Sequence, residues 1–369
     1  MSNKNSTIPP NLKPIYAIRR GVLVIYPLSR MHITGRIEEI RREERGEEVV
    51  EKIERLPKAT LSSGVEVPII PFNTINGCTK LGLFIYTLQK FLAKRGYKGG
   101  DVEFAYEKLL LEDPPLAVLM TLKIPFLKPY FKDLEFKISV YMNPYLSIYS
   151  FGIGKRVIAY SDAYPVAQNL TTNREIASRA KLLEQLNRRL VDEGFEPIQI
   201  PQVVTNLTEL SFMTRKRVDV SKGTEDSVVK FFVERFGLSE DVVREAPFIK
   251  SVVWQREFLI AHTPYVSPLR VKVTHPLTIS HLGALVASII SLPVLGRESN
   301  QFQVHLVCIV DDLEKRKDQL LYVMKDSVTN DVTMNEFAKN ALKEYDAYVM
   351  SDHFEQTLRR VAEYVFSKS

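Results

Sequence analysis

The chain has 369 residues, 45% apolar and 25% charged, which supports one elaborated globular domain or two ordinary ones. Fifty Lys and Arg against forty-four Asp and Glu leave a formal charge of +6 and a pI near 9.0, which permits a polyanionic partner without requiring one. Two cysteines, Cys78 and Cys308, exclude a disulfide framework and a four-thiolate zinc site and point to a reducing, cytoplasmic setting. The first fourteen residues form a polar, proline-bearing tail with no apolar signal core, and no run reaches membrane-spanning length, so a soluble protein with no membrane partner is expected.

Gly21 to Pro27, GVLVIYP, is nearly all apolar and rich in branched residues, which predicts a central strand. From Thr34 to Lys58 both charge signs mix at helical spacing over a thin stripe of Ile37, Ile40, Val49, Val50 and Ile53. This predicts a solvent-facing helical excursion at 36–58, or a contact arm for a neighbour. An irregular segment from Val67 leads into a helix at 77–95, whose stripe is Leu81, Ile85, Leu88 and Leu92. Several strands broken by prolines are expected over 101–165, including KISVYM at 137–142 and the run around Ile158. Thr172 with Glu175 resembles a capping box opening a helix that closes at Gly194, and a shorter helix runs from Thr224 to Phe236. Strands near 250–260 and 268–274, a helix at 278–292 and a strand at 301–311 follow. The last sixty residues read as two helices, boxed by Thr333 with Glu336 and by Asp352 with Glu355. Together these predict an α+β fold in the β-α-β-β-α-β order of a ferredoxin-like core, with 101–248 as an insertion.

Catalytic constellations are scarce. None of His32, His262, His275, His281, His305 and His353 forms a metal-binding spacing, and His275 and His281 flank a helix start, where a structural role is favoured. Cys308 in an apolar strand reads as core. Cys78 stands at a helix entrance with no histidine near it in sequence, and so lacks a base. FGIGKR at 151–156 lacks the glycine spacing and the following Ser or Thr of a nucleotide loop, and Asp311 and Asp312, ending a strand, read as solvent-exposed. No metal or cofactor is predicted. Binding groups are better placed: Arg215, Lys216, Arg217 and Lys222 cluster, and Lys155 and Arg156 adjoin glycines. Arg297 joins Gly296, Ser299 and Asn300 in a permissive polar loop between an apolar helix and a buried strand. Each is equally readable as a solvated face.

Four segments, in order, resemble the repeat-associated (RAMP) superfamily, and more narrowly its CRISPR effector backbone subunit, the seventh Cas protein family. PLSRMHITG at 27–35 is similar to the family's PLH-like turn, and VPIIPFNTINGCTKLG at 67–82 to its VPxIPGxSxRGxxR segment. YLSIYSFGIG at 145–154 resembles the stretch that runs into FG. TRKRVDVSKGTED at 214–226 with REFLIAHTPYVSPLRVKV at 256–273 resembles its TRxRV hairpin region. LGALVASIISLPVLGRESNQFQ at 282–303 is similar to its final glycine loop.

The resemblance, nearest in feel to subtype I-D, with a type IV or divergent type III backbone as alternatives, implies a modified RNA-recognition-type palm with helical and β insertions and a thumb-like hairpin. Its halves would span 15–100 and 249–312, with finger and thumb elements at 101–248 and a helical extension at 313–369. It implies a non-catalytic subunit that stacks with copies of itself and other effector subunits along a guide RNA, positioning it for DNA or RNA targets. Asn73, Asn76 and Lys80 would face the RNA backbone, as would Lys155, Arg156, the 215–222 cations and the loop residues Gly296, Arg297, Ser299 and Asn300. The alternatives are a metal-dependent endoribonuclease of the same superfamily, using Glu38, Glu39, Glu43 and Glu44 in a loop together with Asp311, and a structural or viral protein-binding protein with a borrowed core.

Overall fold

The computed structural model describes residues 12–33, 35–44, 47–96, 140–149, 156–213, 222–244, 254–271, 276–293, 295 and 301–366. In strand β1 (Tyr16–Pro27), Val22 and Val24 turn to one face and Leu23 and Ile25 to the other. All four are fully buried, so both faces of the strand are covered. A hairpin, β2 (Ile37–Glu44) and β3 (Glu47–Glu54), then precedes the short pair β4 (Lys58–Thr60) and β5 (Glu66–Pro68). Helix α1 (Phe72–Lys94) is followed by the single turn α2 (Pro144–Ser147), β6 (Ile158–Tyr160), β7 (Tyr164–Pro165) and helix α3 (Arg174–Asp192). Strand β8 (Thr208–Met213), helices α4 (Lys222–Phe236) and α5 (Glu240–Arg244), and strands β9 (Trp254–Leu259) and β10 (Tyr265–Val271) come next. The chain continues as α6 (Ile279–Ile290), β11 (Phe302–Asp312), β12 (Lys317–Asp326), β13 (Val332–Met334), α7 (Glu336–Met350) and α8 (Asp352–Phe366).

The main sheet runs β13-β12-β11-β1-β10-β6, with β7 also on β10, and every pairing is antiparallel. Its inner four strands, β11-β1-β10-β6, with α1 after β1 and α6 after β10, give a mixed α+β core consistent with a ferredoxin-like arrangement. The expected strand at 250–260 is not its second strand. That place belongs to Ile158–Tyr160, a strand expected around Ile158 but inside the stretch read as an insertion, so its place in the core was missed.

Strand β9 instead joins a second sheet, β2-β3-β9-β8. The predicted helical excursion is therefore a β-hairpin. Its five apolar positions are all Ile or Val, whose branched side chains favour a strand, and Glu39 stands opposite Lys52 across it. Buried charges explain the recruitment of β9: Arg256 donates from Nε to Glu54 Oε2 on β3 at 2.5 Å, and Glu257 accepts Leu56 N–H at 3.1 Å while Lys58 Nζ lies 3.0 Å from its other oxygen. His32, also buried, holds the carbonyl of Glu257 through Nδ1 at 3.0 Å.

Helices cover both faces of the main sheet. On one, α1, α6 and α7 pack against Leu23, Ile25, Leu306 and Leu321. On the other, α3 lays Ile176, Ala180, Leu183, Leu186 and Leu190 over Val22, Val24, Val266, Val307 and Leu320. Helix α3 ends as expected at Gly194, φ +82°, where Phe195 N–H reaches Leu190 O and Gly194 N–H reaches Val191 O in a Schellman closure. Its opening differs: the N-cap is Asn173, and Glu175 is drawn away to Ser62 N–H and Oγ at 3.1 Å.

The last sixty residues add β12 and β13 before their two helices. The expected boxes shift to Asn335, whose Oδ1 accepts Ala338 N–H, and to Ser351, whose Oγ accepts Phe354 N–H. Lys90 to Asp346 at 2.6 Å and Arg95 to Glu355 at 2.9 Å pin these helices to α1.

His281 closes the start of α6. Its Nδ1 accepts Thr278 N–H at 3.3 Å, so Nε2 carries the proton, donated to Tyr141 O at 3.1 Å. Burial pushes its pKa down to about 4 from the ordinary 6.5. Between those values the unfolded chain binds the extra proton, so stability falls as pH drops from 6.5 towards 4, by about 3 kcal/mol in all. Burial pushes His305 down to about 4 as well, so urea midpoints across this range should show both losses and His281→Gln should remove about half of the slope; an equal slope in the variant would contradict the assignment.

Candidate nucleic-acid interface

Open sheets of the RNA-recognition type stack bases on aromatic side chains of the face away from the helices. Here α3 occupies that face over valine, isoleucine and leucine, so a polyanion must meet this chain elsewhere. The N-terminal half of α1 is such a place. No side chain of its own N-cap, Pro71, serves the first turn; Asp162 Oδ1 accepts Phe72 N–H at 2.7 Å instead. Buried Ile75, Thr79, Gly82 and Leu83 hold one side of the helix on the core, leaving Asn73, Gly77 and Leu81 exposed along the opposite side. A Cβ on Gly77 would meet nothing within 4 Å, so a ligand can approach the helix backbone closely there.

Two expected cations lie within electrostatic reach of one another near this strip. Lys80 on α1 and Arg156, two residues before β6, are close enough that the guanidinium, after burial, holds the Lys80 ammonium below the usual lysine range. Like charges at a half-buried site destabilise one another, and an anion between them relieves both. Asn76 is committed within the protein: its Nδ2 donates to Phe72 O at 2.7 Å, and its Oδ1 accepts Tyr160 N–H at 3.4 Å, tying α1 to β6. Asn73 is exposed. The side chain overlooked in the sequence is Phe72, which remains 39% exposed at the helix start and offers a ring to an unpaired base. An aromatic where the resembled motif has glycine was its only signal.

The residues that lead into the final loop pack on the same helix. Gly82 of α1 packs on the backbone of Ser288 and Leu292 at the end of α6, and Lys325 Nζ donates to Leu292 O at 2.8 Å. Downstream, Gln301 O accepts Leu28 N–H at 2.8 Å in the turn after β1. Gly296, Arg297, Ser299 and Asn300 between these anchors lie outside the described residues, as do Lys155, Arg215, Lys216, Arg217 and His275; Lys222 is the first residue of α4.

Among solved structures the chain is similar to one titled "Type IV-B CRISPR Complex". The match covers 78% of this chain and 90% of that one at 10% identity, with a TM-score of 0.34. It is also similar to "Cryo-EM structure of the Type III-B Cmr-beta bound to cognate target RNA", over 86% and 100% of the two chains at 11% identity and a TM-score of 0.26. No family model and no curated protein matches. Likeness at that level leaves function to the residues themselves.

The groups weighed for chemistry have structural partners. Glu38 is in β2, held by Arg55 Nε at 2.8 Å, which keeps its carboxyl below the usual range. Asp311 takes Arg19 at 2.5 Å. Asp312, expected in solvent, is buried: its Oδ1 accepts Glu314 N–H and Lys315 N–H and so closes the turn into β12. Burial raises the pKa of the Cys308 thiol, as suits a core residue. Among the described residues no three His, Cys, Asp or Glu side chains gather as metal ligands, and no helix is long and apolar enough to cross a membrane.

Proposed function

We propose that the chain is a guide-RNA-binding backbone subunit of a CRISPR effector assembly, holding the ribose-phosphate chain while base pairing reads the target. The observation that carries the reading is the exposed strip Asn73–Gly77–Leu81 of α1, open over Gly77, with Lys80 of the same helix half-buried within the electrostatic reach of Arg156. Four motifs in family order favour this ligand over another polyanion. In the proposal Lys80 and Arg156 neutralise phosphates, the bare helix at Gly77 admits the backbone, and Phe72 stacks a base. Stacking of further copies and of sister subunits along the guide belongs to the same proposal. The endoribonuclease alternative is weaker, because Glu38 stands in a paired strand, bound to Arg55, rather than in a loop.

The test is the salt dependence of binding to a single-stranded guide-length RNA. Each lost phosphate contact lowers the slope of log K against log salt by about 0.7, so Lys80→Glu with Arg156→Glu should lower it by about 1.4. An unchanged slope and affinity would contradict the proposal.

A further inference from the structure

Helix α3 carries a second cationic surface, on the opposite side of the main sheet from α1. Its sequence, REIASRAKLLEQLNRRLVD, spaces Arg174, Lys181 and Arg188 at seven-residue intervals, two turns apart, which lines them up about 10.5 Å from one to the next. All three are exposed. The other two arginines of the helix are differently employed. Arg179 donates to Glu175 O at 2.8 Å and lies 4.0 Å above the Tyr164 ring, and Arg189 pairs with Asp318 at 3.1 Å. Among the described residues Lys181 and Arg188 form no ion pair, although Glu184 lies within helical reach of both.

These two cations line a groove of about 410 Å³ with Gln168, Thr171, Glu184 and Gln185. Arg20, from β1, reaches its rim, donating from Nη1 to Gln185 Oε1 at 2.6 Å. Along the helix and its rim the surface presents Arg20, Arg174, Lys181 and Arg188 against Glu184 in the groove, Glu175, which is turned to Ser62, and Asp192 at the helix end, with amides and a hydroxyl between them. Its only apolar lining is Ala177 and Ala180. A protein partner would need a large apolar or aromatic anchor site, which this groove lacks. A regular row of point charges with interspersed hydrogen-bonding groups suits a repeating anionic polymer.

We infer that the outer face of α3 is a second nucleic-acid track, binding the phosphodiester backbone of a single strand independently of the α1 surface. The inference goes beyond the guide-binding proposal and stands or falls separately from it. Binding of a fluorescent oligouridylate to the full chain should be titrated between about 50 and 200 mM salt, for the parent, for Arg174→Glu/Lys181→Glu/Arg188→Glu, and for Lys80→Glu/Arg156→Glu. The triple variant should lose roughly tenfold or more in affinity at the low-salt end and about 2.1 in slope, 0.7 for each phosphate contact. Saturation with short oligouridylate should also fall from two strands per chain to one. If only the α1 variant changes binding, the α3 inference is wrong and the guide proposal stands. If only the α3 variant does, the reverse holds. Polyglutamate binding that the triple variant abolishes, with RNA binding intact, would assign the groove to an acidic protein and overturn the inference. Circular dichroism and urea midpoints matching the parent ensure that a loss reports on charge.

Discussion

Gly283→Ala is expected to lower the unfolding free energy by about 3 kcal/mol or more, or to leave the chain insoluble. Helix α6 is buried on nearly every side, and at Gly283 its backbone lies directly against α7. A Cβ there would fall well inside van der Waals contact of the Ala341 carbonyl and of Tyr345 Cβ. Neither can rotate aside: one is helix backbone, and Tyr345 is fully buried with its hydroxyl against Thr87 at 2.7 Å. The helices must separate, opening the core that α1, α6 and α7 share. Gly77→Ala is the matched control, since its Cβ would enter open space within a helix; it should stabilise by about 0.5–1 kcal/mol. Urea midpoints for the two variants should move in opposite directions, and a Gly283→Ala midpoint equal to the parent's would contradict the helix contact.

Arg256→Leu should cost about 3–5 kcal/mol, because it takes the guanidinium away from the Glu54 carboxylate in a site where both residues are buried. This pair joins β3 to β9 and so closes the second sheet, with His32 Nε2 a further 3.4 Å from the same Glu54 oxygen. A hydrophobic pair in the same space removes that buried charge, so Glu54→Leu/Arg256→Leu should recover much of the loss. Thermal and urea unfolding of the two singles and the double closes the cycle. Additive losses would show that the two side chains act independently.

The legible parts of the fold are those whose pattern is local. Val22 to Ile25 and Phe302 to Val310 announce buried strands by their branched residues, and the apolar row of α6 and the glycine after α3 mark their helices without tertiary information. The misread parts are decided by partners far along the chain. Residues 37–54 carry a charge pattern that suits a helix, but their isoleucines and valines form strands once β9 supplies an edge and Arg256 a counter-charge for Glu54. A strand around Ile158 is legible, but that Ile158–Tyr160 belongs to the core sheet follows only from its pairing with β10. At the interface, Lys80 was selected by the resemblance and Arg156 as a cation beside glycines. That Arg156 lies within electrostatic reach of Lys80 required the fold, as did the inward commitment of Asn76 and the exposure of Phe72.

The central claim is that RNA runs along the start of α1, and photo-crosslinking tests it most directly. A single-stranded RNA of guide length carrying photoreactive uridines should be irradiated with the full chain and the labelled peptides identified by mass spectrometry. The account predicts label on the peptides bearing Phe72 to Leu81 and Arg156 to Tyr160, lost in Lys80→Glu/Arg156→Glu. Label confined to other surfaces, or none at all, would contradict it.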